Sequence, residues 1–447
     1  MGAVATATSP PAAQPEIEEP RPTGWNPVTR IVFRFSFLYF GLFCLLYPQL
    51  ITAYLGWFNS ELPRDAVLWQ VRILEPVYAW VGRTVFGADV ELRFNGSGDQ
   101  GVLWVLVFCV LVLAVAGTLL WTLFDRRRTH YRPLAGWFLL FIRLCVAGQM
   151  LNYGFGKLIP SQMPEPALTT LLEPFGNLAP FEVLWNQVGT SPPYEMLLGA
   201  AEVVAAILLF IPRTALAGAM LTLISTAQIF VLNMTFGVPV KILAGHLMLM
   251  SLVLLAPEAR RLADVLVFNR TAGPSTTPYP FHTPRSRLIA GLVQVALGIW
   301  VAVEMIHVGW GFWKEGGPDR PKPPLYGIWS VSEFVRDGQA VPPLLTDETR
   351  WRTVVFDFPG QVSYQRMDGE LVTVPGTVDA ATHRVELIDG AAPTAALTFE
   401  QPAPDAVTLT GELDGHPVTM TLRRVDPDGL PLRSTGFHWV QDNEPTG

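Results

Sequence analysis

Seven polar residues fall inside or beside otherwise apolar stretches, and their types suit proton transfer and the recognition of oxygen atoms. Gln149, Tyr153 and Lys157 recur at i, i+4 and i+8, so one helix face carries all three. Glu202 stands in the next apolar block. Asn233 opens the run Asn233-Met234-Thr235-Phe236-Gly237-Val238-Pro239-Val240-Lys241, whose Gly-x-Pro centre breaks a helix, and His246 follows it. Lysine and histidine donate hydrogen bonds to carbonyl or anionic oxygens, whereas tyrosine and glutamate shuttle protons. Polar side chains at membrane depth are costly, which makes each a candidate for ligand binding: Lys157, Lys241, His246, Asn233 and Gln149 as contacts, Glu202 and Tyr153 as proton carriers. The competing reading is packing. Glu202 would neutralise Lys157 or Lys241, and Asn233 would satisfy backbone groups freed by the break. An ion or substrate path is a third reading. Arg143 lies deeper than the rest, and Glu304 with His307 is expected in the headgroup region rather than in a site.

The elements that position these residues are spans. Of 447 residues 50% are hydrophobic and only 15% charged, where a soluble chain carries roughly 25%. Apolar blocks cover 31–57, 101–124, 134–159, 193–210, 215–233, 239–255 and 288–305. Each is of the order of the 20 residues that cross a bilayer core. The expectation is an α-helical membrane bundle of about seven transmembrane helices in contact with lipid. Arg126, Arg127, Arg128 and Arg132 in one loop, and Arg260, Arg261, Arg270, Arg285 and Arg287 in another, put both loops on the cytoplasmic side. The N-terminus is then cytoplasmic and the C-terminal region extracytoplasmic, in a plasma membrane. The loop 58–100 is outside despite Arg64, Arg72, Arg83 and Arg93. Within it Val67, Val71, Leu74, Tyr78 and Val81 form one stripe, which predicts an amphipathic helix over 66–86 on the outer face.

The chain divides into a disordered cytoplasmic tail (1–25), N-terminal spans with the outer helix (26–132), a four-helix core (133–270), a cytoplasmic linker (271–287), a seventh span (288–307) and a β domain (325–447). The Pro-rich stretches 274–284 and 316–324 read as stiff and extended. Cys44, Cys109 and Cys145 all fall in spans without a CxxC spacing and read as small hydrophobes. The net charge of −7 fits no nucleic-acid partner.

After residue 325 short Val-, Thr- and Phe-rich runs alternate with turns: 328–335, 352–358, 361–366, 371–374, 383–388, 395–400, 407–412 and 418–423. Asp368-Gly369, Asp389-Gly390 and Asp414-Gly415 are tight-turn pairs. Eight strands joined by hairpins close best as an antiparallel up-and-down β barrel, filled or with a shallow cavity. Gly327-Ile328-Trp329 at the first strand resembles the opening of lipocalins, in which the tryptophan plugs the barrel floor.

The segment Tyr153-Gly154-Phe155-Gly156-Lys157-Leu158-Ile159-Pro160-Ser161-Gln162-Met163-Pro164 has the pattern Tyr-Gly-x-x-Lys-x-x-Pro. With Gly199-Ala200-Ala201-Glu202, Leu232-Asn233 and Val238-Pro239-Val240-Lys241, it resembles the DoxX-like membrane proteins. The stretch 34–48 and Gly96-Ser97-Gly98-Asp99 resemble long members with extra spans before the core, and Gly436-Phe437-His438-Trp439 looks like the end of their appended domain. The resemblance implies a DoxX-like four-helix core from Leu134 to Asn269. It also implies quinone or sulfur chemistry, as in thiosulfate:quinone oxidoreductase subunits or membrane redox complexes. The chain has no haem or iron–sulfur ligand pattern, no dinucleotide fingerprint and no paired thiols, so electron transfer would need a bound quinone or a redox partner carrying the cofactor. Three functions follow: a quinone-linked redox protein or subunit, a non-catalytic scaffold presenting the barrel to an extracytoplasmic partner, or a transporter.

Overall fold

The computed structural model describes residues 24–56, 58, 62–389, 392–434, 439, 440 and 442. The N-terminal tail up to residue 23, Trp57, Gly390 and the 436–438 part of the terminal motif lie outside them. Among the described residues seven helices are long and apolar enough to cross a membrane. In chain order, α1 is Pro27–Leu46, α2 Trp69–Val81, α3 Gly101–Phe124, α4 Arg132–Leu158, α5 Pro180–Gly189, α6 Pro192–Phe210, α7 Ala215–Thr235, α8 Lys241–Leu255, α9 Ala259–Leu266 and α10 Pro284–Gly316. The spanning helices are α1, α3, α4, α6, α7, α8 with its continuation α9, and α10.

The first span is shorter than expected. Asn26 caps α1 by accepting from the Thr29 N–H at 2.7 Å, and the helix stops at Leu46 because Tyr47, next to Pro48, is driven to extended backbone. The last span is longer: α10 runs on past Met305 for 33 residues in all. In the 58–100 loop the helical part is α2, flanked by tighter and wider turns over Arg64–Leu68 and Gly82–Phe86. Val71, Tyr78 and Val81 are buried on the α3 side, while Trp69, Ile73, Val77 and Trp80 on the opposite face are exposed. Apolar residues on both faces fit a helix wedged between bundle and lipid.

The four helices α4, α6, α7 and α8 close a ring: α4 packs on α6 and α8, α6 on α7, and α7 on α8. Helices α1 and α10 lie against α4 from outside the ring. Small residues set the tightest crossing. A Cβ on Gly199 would stand 2.3 Å from the Leu158 nitrogen and 2.6 Å from the Gly154 carbonyl oxygen, so α4 and α6 touch backbone to backbone there. That crossing puts Lys157 and Glu202, each three residues beyond its glycine, opposite one another.

The C-terminal region is an antiparallel meander. Its strands are β1 Gly327–Arg336, β2 Gln339–Ala340, β3 Trp351–Phe356, β4 Gln361–Arg366, β5 Leu371–Asp379, β6 Arg384–Asp389, β7 Ala392–Ala403, β8 Ala406–Leu413 and β9 His416–Val425. β1 pairs with both β3 and β9, which closes eight strands into a barrel, and the two-residue β2 is a hairpin arm on the end of β1. β5 outruns its expected end at Val374 although Pro375 follows. The β4 pairing finishes at Gln361–Pro375 and the β6 pairing starts at Gly376, so the proline sits at the changeover. Asp414 and Gly415 take φ of 51° and 76°, the left-handed pair that a tight hairpin needs. Trp329, Phe334, Phe356, Val407, Met420 and Leu422 fill the interior. The filled alternative therefore describes this barrel, and Trp329 anchors it through an indole N–H donated to the Leu325 carbonyl at 2.7 Å.

Candidate functional site

Lys157 and Glu202 meet at the α4–α6 crossing. The ammonium lies 2.9 Å from Oε1 and 3.0 Å from Oε2 of Glu202, and both side chains are over nine-tenths buried. Lys157 also lies 5.6 Å above the ring of half-buried Tyr153 and donates to the Tyr153 carbonyl at 3.4 Å. A third ionisable group sits on α6 near the same loop. Glu195 is fully buried; its Oε1 accepts the Met163 N–H at 3.0 Å, and its Oε2 has no partner among the described residues. Sequence reasoning passed Glu195 over because it stands in the first turn of its helix, where an acid is unremarkable. Lys157, Glu202 and Glu195 together carry two carboxylates against one ammonium, a composition that can hold and release a proton.

Lys241 is not the partner of Glu202. It lies 3.4 Å from Asp99, whose carboxylate also accepts the N–H groups of Lys241 and Ile242 at 2.8 and 2.9 Å. Asp99, from the loop before α3, thus caps the start of α8. It was legible only as part of the Gly96-Ser97-Gly98-Asp99 resemblance, because nothing in spacing brings residue 99 to residue 241. Asn233 donates to the Val240 carbonyl at 3.2 Å across the break, and Gly237 makes the turn at φ 71°.

His246 lies apart, stacked on Phe43 at 3.8 Å between ring centroids. Its Nδ1 is 2.6 Å from the Ile242 carbonyl and its Nε2 2.9 Å from the Tyr39 hydroxyl. A carbonyl only accepts, so Nδ1 carries the proton and Nε2 accepts from Tyr39. Gln149 donates to the Gln49 carbonyl at 2.8 Å, and its Oε1 is unpartnered among the described residues. The seven residues thus fall into separate groups: Lys157 with Glu202 and Tyr153, Lys241 and Asn233 around the break, and His246 and Gln149 each alone. Glu304 is buried at 2% exposure, and neither carboxylate oxygen has a hydrogen-bond partner among the described residues. His307, one turn on, is exposed and acts on it electrostatically. Cys44 is buried with its Sγ 3.5 Å from the Met250 Sδ, and Cys145 is buried on α4.

The barrel is joined to the bundle by a second buried polar group. Asp357, 4% exposed at the end of β3, accepts the Leu168 N–H at 2.7 Å from the loop after α4 and pairs with Arg320 from the segment leading into the barrel. Leu168, Ile328 and Val355 form a shared apolar cluster beside it.

Spanning helices in this number, a buried polar centre and a closed barrel define a multi-pass membrane protein with an appended β domain. Over 123 residues, 28% of its length, the chain is 33% identical to the uncharacterized protein YwoB of Bacillus subtilis (strain 168), and the match covers 78% of that protein; the chain belongs to the same family. No family model and no solved structure matches the chain.

Proposed function

We propose that the chain is a DoxX-like plasma-membrane scaffold, N-terminus cytoplasmic, that holds its β barrel at the outer face for an extracytoplasmic partner. The joint at Asp357 carries this reading: a buried carboxylate tied at once to Leu168 of the bundle loop and to Arg320 fixes the barrel's direction. A barrel filled by Trp329, Phe334 and Phe356 offers its surface, rather than a cavity, for recognition. Trp329 at the opening of β1 supports the lipocalin likeness. The arginine loops support the orientation. The test compares complexes extracted from native membranes for the full chain, a chain ending before residue 325, and Lys157→Gln. The scaffold reading expects the complex to vanish on truncation and persist in Lys157→Gln; a complex that survives truncation overturns it.

A second reading is favoured by the open oxygen of Glu195. In a quinone-linked membrane subunit, Lys157 would hydrogen-bond a quinone oxygen, Glu195, Glu202 and Tyr153 would carry the protons, and a redox partner would supply the electrons. Mass spectrometry of organic extracts decides it. A quinone present in the native protein and lost from folded Lys157→Gln favours this reading over the scaffold; none in either removes it.

A further inference from the structure

Lys157 and Lys241 each have a carboxylate beside them, whereas Arg143 has none among the described residues. It stands near the middle of α4, and the residue is 8% exposed. One guanidinium nitrogen donates to Gln294 of α10, and Nε has no hydrogen-bond partner among the described residues. A buried guanidinium without an anion is costly in a medium of low dielectric constant, and such a group calls for a counter-ion.

Arg143 is in the wall of a cavity of about 1020 Å³ between α4, the α6–α7 turn, the end of α8 and the start of α10. Leu140, Leu216, Leu254 and Val295 give it apolar sides, and Arg213, Arg261 and Arg287 also line it. Among the described residues its one lining carboxylate, Glu258, is already engaged. It accepts from the Ser275 and Thr277 hydroxyls at 2.5 and 2.6 Å, from the N–H groups of Thr276 and Thr277 at 3.1 Å, and from Arg261 at 3.1 Å. The start of α7 adds to the positive field. Its first residues line the cavity, and Thr214 turns its hydroxyl back to the Leu208 carbonyl at 2.9 Å instead of capping the exposed N–H groups. Leu288 and Leu292 line the cavity and are exposed at 65% and 61%, so it opens sideways toward the lipid chains.

We propose that this cavity binds a membrane lipid with an anionic phosphate headgroup. The phosphate lies between Arg143 and the other three arginines, whose planar donors match phosphate oxygens, and an acyl chain runs along the leucines toward the lateral opening. The apolar walls select a lipid over a free anion.

Delipidated full-length protein in mild detergent, mixed separately with phosphatidylglycerol, phosphatidylcholine or inorganic phosphate, tests this by native mass spectrometry and thermal melting. Phosphatidylglycerol is expected to be retained and to raise the melting temperature, with the other two inactive. Arg143→Gln is expected to weaken retention by roughly tenfold or more. Gly291→Phe keeps every arginine and fills the cavity, because a Cβ there meets nothing nearer than Pro212 at 4.0 Å. It is expected to abolish retention and decides the matter if Arg143→Gln does not fold. Equal retention of the two lipids, the same stabilisation by inorganic phosphate alone, or undiminished retention in Gly291→Phe overturns the proposal.

Discussion

At the residue scale, the buried ion pair of Lys157 and Glu202 ties function to stability. Removing one partner leaves the other charged and dry, at a cost of about 3–5 kcal/mol. Glu202→Ala should therefore unfold earlier in a detergent melt, and the double change Lys157→Met with Glu202→Leu should regain most of the loss; strict additivity of the two single changes would refute the coupling. The pair was legible as a choice between two lysines, since charge balance demands a partner but does not name it. The choice falls to Lys157 because Gly154 and Gly199 let two backbones touch. Asp125 offers a pH-dependent contact outside the spans. The Tyr131 hydroxyl donates to it at 2.9 Å and, with Trp121, Arg128 and Arg34, holds its carboxyl below the usual range. Its folded pKa is lower than its unfolded one, so its contribution is complete above about pH 4 and fades as the pH falls through the folded value. In Asp125→Asn the acid limb of a stability-against-pH curve should flatten below about pH 4.

At the element scale, the break between α7 and α8 is a designed junction rather than a flaw. Gly237 turns the chain, Asn233 closes over the Val240 carbonyl, and Asp99 caps the new helix from a loop far away in sequence. The Gly-x-Pro run made the break legible, and asparagine's role in it was one of the readings available. The cap was not, because a capping acid is normally adjacent to its helix and this one is supplied by tertiary contact. Asp99→Ala should cost roughly 0.5–2 kcal/mol and speed amide exchange in the first turn of α8. Unchanged exchange at residues 241–246 would show that the cap does not hold that turn. Strand ends were the weakest expectation in the barrel. The fourth run was expected to end at Val374, yet β5 continues through Pro375 because pairing changes sides there.

At the scale of the whole molecule, the relation between barrel and bundle rests on a few buried groups. Asp357→Asn keeps the shape but removes the charge that Arg320 pairs with, so it should expose the 316–326 connection to limited proteolysis while both parts remain folded. Cleavage no faster than in the native protein would mean that the apolar cluster of Leu168, Ile328 and Val355 holds the joint by itself. Seven spans and an eight-strand closed meander were determined by the sequence alone, because hydrophobic run length and the alternation of short strands with tight-turn pairs are local properties set by bilayer thickness and backbone geometry. Which lysine meets Glu202, how Asp99 reaches α8, and why Arg143 faces a cavity whose lining acid, Glu258, is already engaged were decided only by tertiary structure. Each depends on side chains brought together from distant segments, and no spacing along one chain encodes which helix faces will touch.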